Sequence, residues 1–184
     1  MYGPTGVGIL YGKRELLEAM PPYQGGGEMI KEVTFEKTTY NEIPYKFEAG
    51  TPNIADVVAF KYAMDFVNEI GKGEIRDHEN ALLKYFVETL HATSLTGNKI
   101  KLIGTAKEKV SVQSFIINRM HAFDAGMMLD AKGIAVRTGH HCTQPLMKRF
   151  GIEGTVRTSF AVYNTMDEVK VFIDAIERIL KLTK

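Results

Sequence analysis

Cys142 sits in the segment Arg137-Thr138-Gly139-His140-His141-Cys142-Thr143-Gln144-Pro145, where Arg137, His140 and His141 all lie within five residues of the thiol. A thiol attacks as the thiolate, and a nearby Arg or His favours that form. The segment is expected to be a loop between a short strand and a short helix, which is where rigid scaffolds present reactive groups. Pro145 suits the first turn of that helix. The same residues also fit a structural cysteine in a turn flanked by two surface histidines. A His-His-Cys metal centre is disfavoured, because adjacent residues rarely aim at one ion, and no metal is expected. A thiol hydrolase built on Cys142 and His141 is disfavoured too. Sequence neighbours seldom reach nucleophile–base geometry, and no third orienting group is evident.

Arg157 lies inside the apolar stretch Val156-Arg157-Thr158-Ser159-Phe160. An arginine there must point to water or find an anion. Its planar fork suits a carboxylate, although an outward-facing strand residue would look the same. Gly50-Thr51-Pro52-Asn53 opens a long helical pattern. A helix start with small hydroxyl residues favours phosphate, and plain capping by Thr51 or Asn53 is the simpler alternative.

The elements that must hold these groups follow from periodicity. Val7–Tyr11 reads as a strand, Arg14–Met20 as a short helix stopped by Pro21-Pro22, and Met29–Tyr45 as a hairpin after the Gly25-Gly26-Gly27 turn. Ile54, Val58, Tyr62, Phe66 and Ile70 recur at helical spacing, with Gly71 as the stop. A second helix covers about Glu74–Leu90. Strands are expected at Ile100–Ile103, Val110–Ile117, Ile134–Arg137 and Val156–Val162. Helices are expected at Phe123–Lys132, ended by Gly133, and at Pro145–Phe150. Thr165-Met166-Asp167-Glu168 fits a capping box, and Val169, Phe172, Ile173, Ile176 and Leu180 form the buried stripe of the last helix. Helices mixed with mostly antiparallel strands predict an α+β domain over residues 72–184. Residues 51–71 read as a connecting helix. Residues 1–50 do not close a core of their own and are expected to belong to a larger N-terminal domain.

Composition narrows the classes. With 184 residues, the chain is long enough for one full core or for one domain plus part of another. A net charge of +1 gives no reason to expect nucleic acid or an acidic membrane as partner. The apolar runs are far shorter than the roughly 20 residues of a spanning helix. The N-terminus lacks the basic and apolar regions of a signal peptide. A single cysteine excludes an internal disulfide and fits a cytoplasmic location.

The segment from Arg137 to Cys142, with Pro145, resembles the active-site loop of SUF-type cysteine desulfurases and selenocysteine lyases in the class V aminotransferase superfamily. Three more segments agree in order. Met1-Tyr2-Gly3-Pro4-Thr5-Gly6-Val7-Gly8-Ile9-Leu10-Tyr11-Gly12 is similar to the stretch after the cofactor lysine. Phe47-Glu48-Ala49-Gly50-Thr51-Pro52-Asn53 is similar to the phosphate-contacting loop. Val156–Phe160, followed by Tyr163-Asn164-Thr165, is similar to the substrate-carboxylate strand.

The resemblance implies an enzyme using pyridoxal 5'-phosphate on L-cysteine or L-selenocysteine. Cys142 would take the substrate sulfur as a persulfide and alanine would leave. Arg157 would hold the substrate carboxylate. Arg137 and His141 would support the loop or the substrate. Gly50 and Thr51 would contact the cofactor phosphate in the other subunit of a homodimer. Sulfur would pass to an acceptor protein of the SUF system for iron–sulfur cluster assembly. Some relatives use a histidine just before an aspartate to reach a zinc-bearing scaffold. Phe123 precedes Asp124 here, which implies an acceptor without zinc exchange. Residues 1–50 would be a remnant of the large cofactor-binding domain. The family's Schiff-base lysine would directly precede Met1, so these residues alone are expected to be inactive. A non-catalytic module that docks a sulfur acceptor is the alternative.

Overall fold

A computed structural model describes residues 2–93, 95 and 99–182; Met1, which opens the first matched segment, lies outside them. The chain divides into two compact units, Met1–Ile70 and Gly71–Lys184.

In the first unit, α1 (Arg14–Ala19) stops before the Pro21-Pro22 pair. The hairpin pairs β1 (Ile30–Val33) with β2 (Thr38–Tyr40), antiparallel, and is shorter than expected. Its turn is held by Thr34, whose hydroxyl accepts the Lys37 N–H at 3.0 Å. Beyond Tyr40 the ladder gives way to a short 3-10 helix at Tyr45–Phe47. Residues 7–11 form no strand, contrary to the expectation. A strand needs a ladder neighbour, and among the described residues this stretch has none; Ile9, Leu10 and Tyr11 are exposed.

The helix α2 (Ile54–Ile70) forms as the spacing predicts, but within the described residues Ile54, Val58, Tyr62 and Phe66 of its apolar stripe are exposed. Only Val67 is buried. Periodicity specifies a face that wants a partner; it does not say where the partner comes from.

The second unit is a two-layer α+β domain. It begins with α3 (Lys72–Ala92), followed by β3 (Ile100–Ile103) and β4 (Val112–Ile117). Next come α4 (Ala122–Asp130), β5 (Arg137–Gly139) and α5 (Gln144–Phe150), then β6 (Thr155–Ser159) and α6 (Met166–Leu182). The four-stranded sheet has the order β3-β4-β6-β5, and every neighbouring pair is antiparallel.

Side chains alternate across this sheet. Phe115 of β4 and Val156 of β6 are register partners, both fully buried in the core with Leu82, Phe86, Leu129, Phe172 and Ile176 of the helices. Phe86 stacks on Phe172, with ring centroids 5.1 Å apart and planes at 7°. The opposite face carries Ser114 and Arg157, also register partners. The core thus occupies one side of the sheet and leaves the other free for chemistry. The predicted capping box forms: the Glu168 carboxylate accepts the Thr165 N–H at 2.8 Å, and the Thr165 hydroxyl accepts the Glu168 N–H at 3.2 Å. Val169, Phe172, Ile173, Ile176 and Leu180 of α6 are buried.

Two strands shift from their expected positions. Residues 134–136 precede β5 because the chain is still turning off α4: Gly133 has φ +72°, and the Ile134 N–H closes onto the Leu129 carbonyl at 3.1 Å. At the far end of β6, the Ala161 N–H goes to the Asn164 side chain at 2.9 Å, so the ladder ends before Val162.

Candidate active site

Antiparallel pairing sets Arg137 of β5 directly opposite Arg157 of β6, on the sheet face away from the core. Among the described residues neither guanidinium forms an ion pair with a carboxylate. Like charges directly opposite destabilise a sheet. The Arg157 Nε is buried without a hydrogen-bond partner. Two opposed cations with an orphaned donor make a seat for an anion, and a carboxylate or phosphate satisfies the fork geometry.

After β5 the chain turns sharply. Gly139 has φ +105°, and a Cβ on Gly154 would come within 2.9 Å of the Gly139 carbonyl carbon, so the backbones approach as only glycine permits. His141 and Cys142 then adopt left-handed conformations in succession, with φ 54° and 61°. Such residues cost about 1–3 kcal/mol each unless their surroundings hold them. Three local hydrogen bonds do so. The Cys142 N–H donates to the His140 Nδ1 at 3.1 Å. The Thr143 N–H and hydroxyl both donate to the His140 carbonyl, at 2.9 and 2.8 Å. The resulting thiol is exposed, and the Arg137 Nη2 points at its Sγ from 3.9 Å.

His141 turns the other way. Its Nε2 pairs with the Thr155 hydroxyl at 2.8 Å, and its Nδ1 is buried without a partner. Its pKa lies below the ordinary 6.5, first because of burial and then because of the Arg157 and Arg137 charges, with a smaller effect from His140; a hydrogen bond to Thr155 works against these. His141 is therefore neutral at pH 7, and the charged neighbour that contacts the thiol is Arg137. Thr155 is 1% exposed even though it shares the open sheet face with Arg157. Sequence reading missed it. The signal was its place two residues before Arg157, which puts both side chains on one face.

Cys142, Arg137, Arg157 and His141 thus converge in the second unit. Gly50 and Thr51 belong to the first. Gly50 has φ +74°, and Thr51 is exposed just before α2. Asn53 is the capping residue: its Oδ1 accepts the Asp56 N–H at 3.3 Å, and its Nδ2 donates to the Asp56 carboxylate at 2.7 Å. The exposed hydroxyl beside a helix start fits the phosphate end of a cofactor, with the Asp56 carboxylate already taking part of that helix's N-terminal field. Among the described residues, no group of three or more His, Cys, Asp or Glu side chains is arranged to hold a metal ion.

The family model for class-V aminotransferases matches residues 1–172. The chain belongs to that family. Its members depend on pyridoxal phosphate. A probable cysteine desulfurase of Mycobacterium leprae is 50% identical over 179 residues, covering 97% of this chain and 29% of that protein. A probable cysteine desulfurase of Xylella fastidiosa is 46% identical over 182 residues, covering 99% of this chain and 43% of the relative. The chain therefore spans less than half the length of these relatives. Among solved structures, the Escherichia coli cysteine desulfurase CsdA superimposes with a TM-score of 0.89 at 37% identity, over 98% of this chain and 44% of that one. An apo cysteine desulfurase from Thermococcus onnurineus gives 0.90 at 36% identity, over 97% of this chain and 44% of the other. The α+β arrangement is accordingly part of the pyridoxal-phosphate-dependent fold.

Proposed function

We propose that these residues supply the sulfur acceptor and the carboxylate seat of a cysteine desulfurase acting on L-cysteine. The observation that supports this reading best is the exposed Cys142 thiol, touched by Arg137, which itself stands opposite an Arg157 with an unpartnered Nε. Pyridoxal phosphate, when bound, supplies the electron sink that stabilises charge as the carbon–sulfur bond breaks. Thr51 and Gly50 would hold its phosphate across a homodimer. Arg157 donates to the substrate carboxylate and fixes the substrate. Cys142 attacks the substrate sulfur as a thiolate. A sulfur–sulfur bond forms, the carbon–sulfur bond breaks, and its electron pair stays with the carbon. Protonation of that carbon completes alanine, and Cys142 is left as a persulfide. Neutral His141, anchored to Thr155, supports the loop without adding charge beside the two arginines.

We expect turnover from the whole protein, with the cofactor lysine that the resemblance implies, and none from these 184 residues by themselves. An acceptor protein of the SUF system, serving iron–sulfur cluster assembly, would then remove the sulfur. The test is to give the whole protein L-cysteine, measure alanine, and weigh the Cys142 peptide. A one-sulfur mass gain in the wild type, lost in Cys142→Ala together with alanine release, is expected. Undiminished alanine release and sulfur transfer in that variant would sink the reading.

A further inference from the structure

We propose that His140 is a positioning residue for Cys142, acting through the backbone of the nucleophile and not through its sulfur. The inference rests on Cys142 being the sulfur acceptor, but its geometry can be tested apart from that. His140 is exposed, and an exposed histidine usually leaves its ring to solvent. Here the ring is engaged: Nδ1 accepts the Cys142 N–H at 3.1 Å. The His140 carbonyl meanwhile accepts from both the N–H and the hydroxyl of Thr143. One residue thus ties the position after the cysteine and the cysteine itself. This is the side-chain-to-backbone bond that Asp and Asn make in tight turns, with an imidazole nitrogen in place of the oxygen.

The bond has a definite task. Cys142 is held at φ 61° with a full side chain, a conformation the chain leaves readily when nothing opposes it. In that conformation Sγ faces the Arg137 guanidinium. Release of the Cys142 N–H would let the backbone relax and carry the sulfur away from Arg137. The two adjacent histidines therefore have different parts. His141 is anchored outward to Thr155 on the sheet. His140 is turned inward on its own loop. The Nδ1 acceptor must be unprotonated, so the neutral ring carries its proton on Nε2.

An asparagine Oδ1 is bonded to Cγ, as Nδ1 is in histidine, so His140→Asn should keep the acceptor while His140→Ala removes it. Two readouts on the whole protein separate the possibilities. Amide hydrogen exchange at Cys142 should be about fivefold faster in His140→Ala than in wild type, as expected for one lost hydrogen bond, and near wild type in His140→Asn. The kcat for alanine release should fall by a similar factor in His140→Ala with KM for L-cysteine unchanged, because Arg157 is untouched, and should recover in His140→Asn. Equal exchange in all three proteins overturns the positioning role, as does an alanine variant whose kcat is unaltered. If Cys142→Ala keeps its turnover, the nucleophile assignment fails, and the exchange measurement still decides whether His140 holds the loop.

Discussion

Replacing Arg157 with methionine should stabilise the empty protein while weakening its hold on substrate. Methionine keeps an unbranched stem of comparable reach and removes two things: the charge facing Arg137 across the β5–β6 pair, and an Nε buried without a partner. A directly opposed like-charge pair costs about 0.2–1 kcal/mol in a sheet. Arg137 is exposed, so screening puts its share at the low end of that range. An unsatisfied buried donor costs about 1–3 kcal/mol, and again the low end applies to a half-buried arginine. A net gain of about 1 kcal/mol follows, or about 4 °C in Tm for a domain of this size. The gain should shrink in 1 M salt, where the Debye length drops to about 3 Å and the Arg–Arg part disappears. Loss of the carboxylate fork should raise the KM for L-cysteine by about a hundredfold. Thermal unfolding at low and high salt, with KM measured on the same preparations, checks both halves. A lower Tm for the variant at low salt would refute the claim that the two arginines form a strained, anion-seeking pair.

Three other perturbations test the support of the site and the core. His141 has a lowered pKa, so as pH falls through about 6.5 the unfolded chain takes up the proton before the folded one does. The unfolded state then binds more protons, and stability must drop as the pH is lowered through that window. Unfolding followed between about pH 8 and pH 5 should show this loss in the wild type and a smaller one in His141→Gln. Thr155→Val, nearly isosteric, leaves the His141 Nε2 without its 2.8 Å partner and should lower stability by about 1 kcal/mol, read as a Tm shift; no shift would remove Thr155 from the site. In the core, Phe86→Ala removes a fully buried ring stacked on Phe172 and should cost about 3–5 kcal/mol by denaturant titration.

Local signals in the sequence were readable wherever the deciding interactions are local. The capping box at Thr165–Glu168, the buried stripe of α6 and the Gly133 stop each depend on residues a few positions apart, and each forms. The loop from Arg137 to Pro145 was readable for the same reason: its thiol, imidazoles and guanidinium are neighbours before any folding occurs. The face-to-face pairing of Arg137 with Arg157 was not readable, because the register of antiparallel strands is set across 20 positions of sequence by the whole sheet. Thr155 was missed on the same ground: as the partner of His141 it makes sense only after β5 and β6 are aligned. The stripe of α2 marks the opposite limit. Its helical period was plain, but burial is a property of what covers a face, and within the described residues Ile54, Val58 and Tyr62 are uncovered.

The two histidines beside Cys142 show why residue type alone ranks candidates poorly. In sequence His140 and His141 are equivalent imidazoles next to a thiol. The left-handed turn at residues 141 and 142 separates them: one ring folds back onto the Cys142 backbone, and the other is carried to the sheet and kept neutral by burial and two arginines. The positive charge that contacts the sulfur then comes from Arg137, which is on a strand and therefore fixed by the ladder. A reactive thiol on a strained loop gains most from a partner that does not move with the loop. Arg137 thus contacts the Cys142 sulfur while standing opposite Arg157 across the ladder. Loss of Arg137 should consequently disturb both the thiol and the seat, whereas loss of Arg157 should disturb the seat alone.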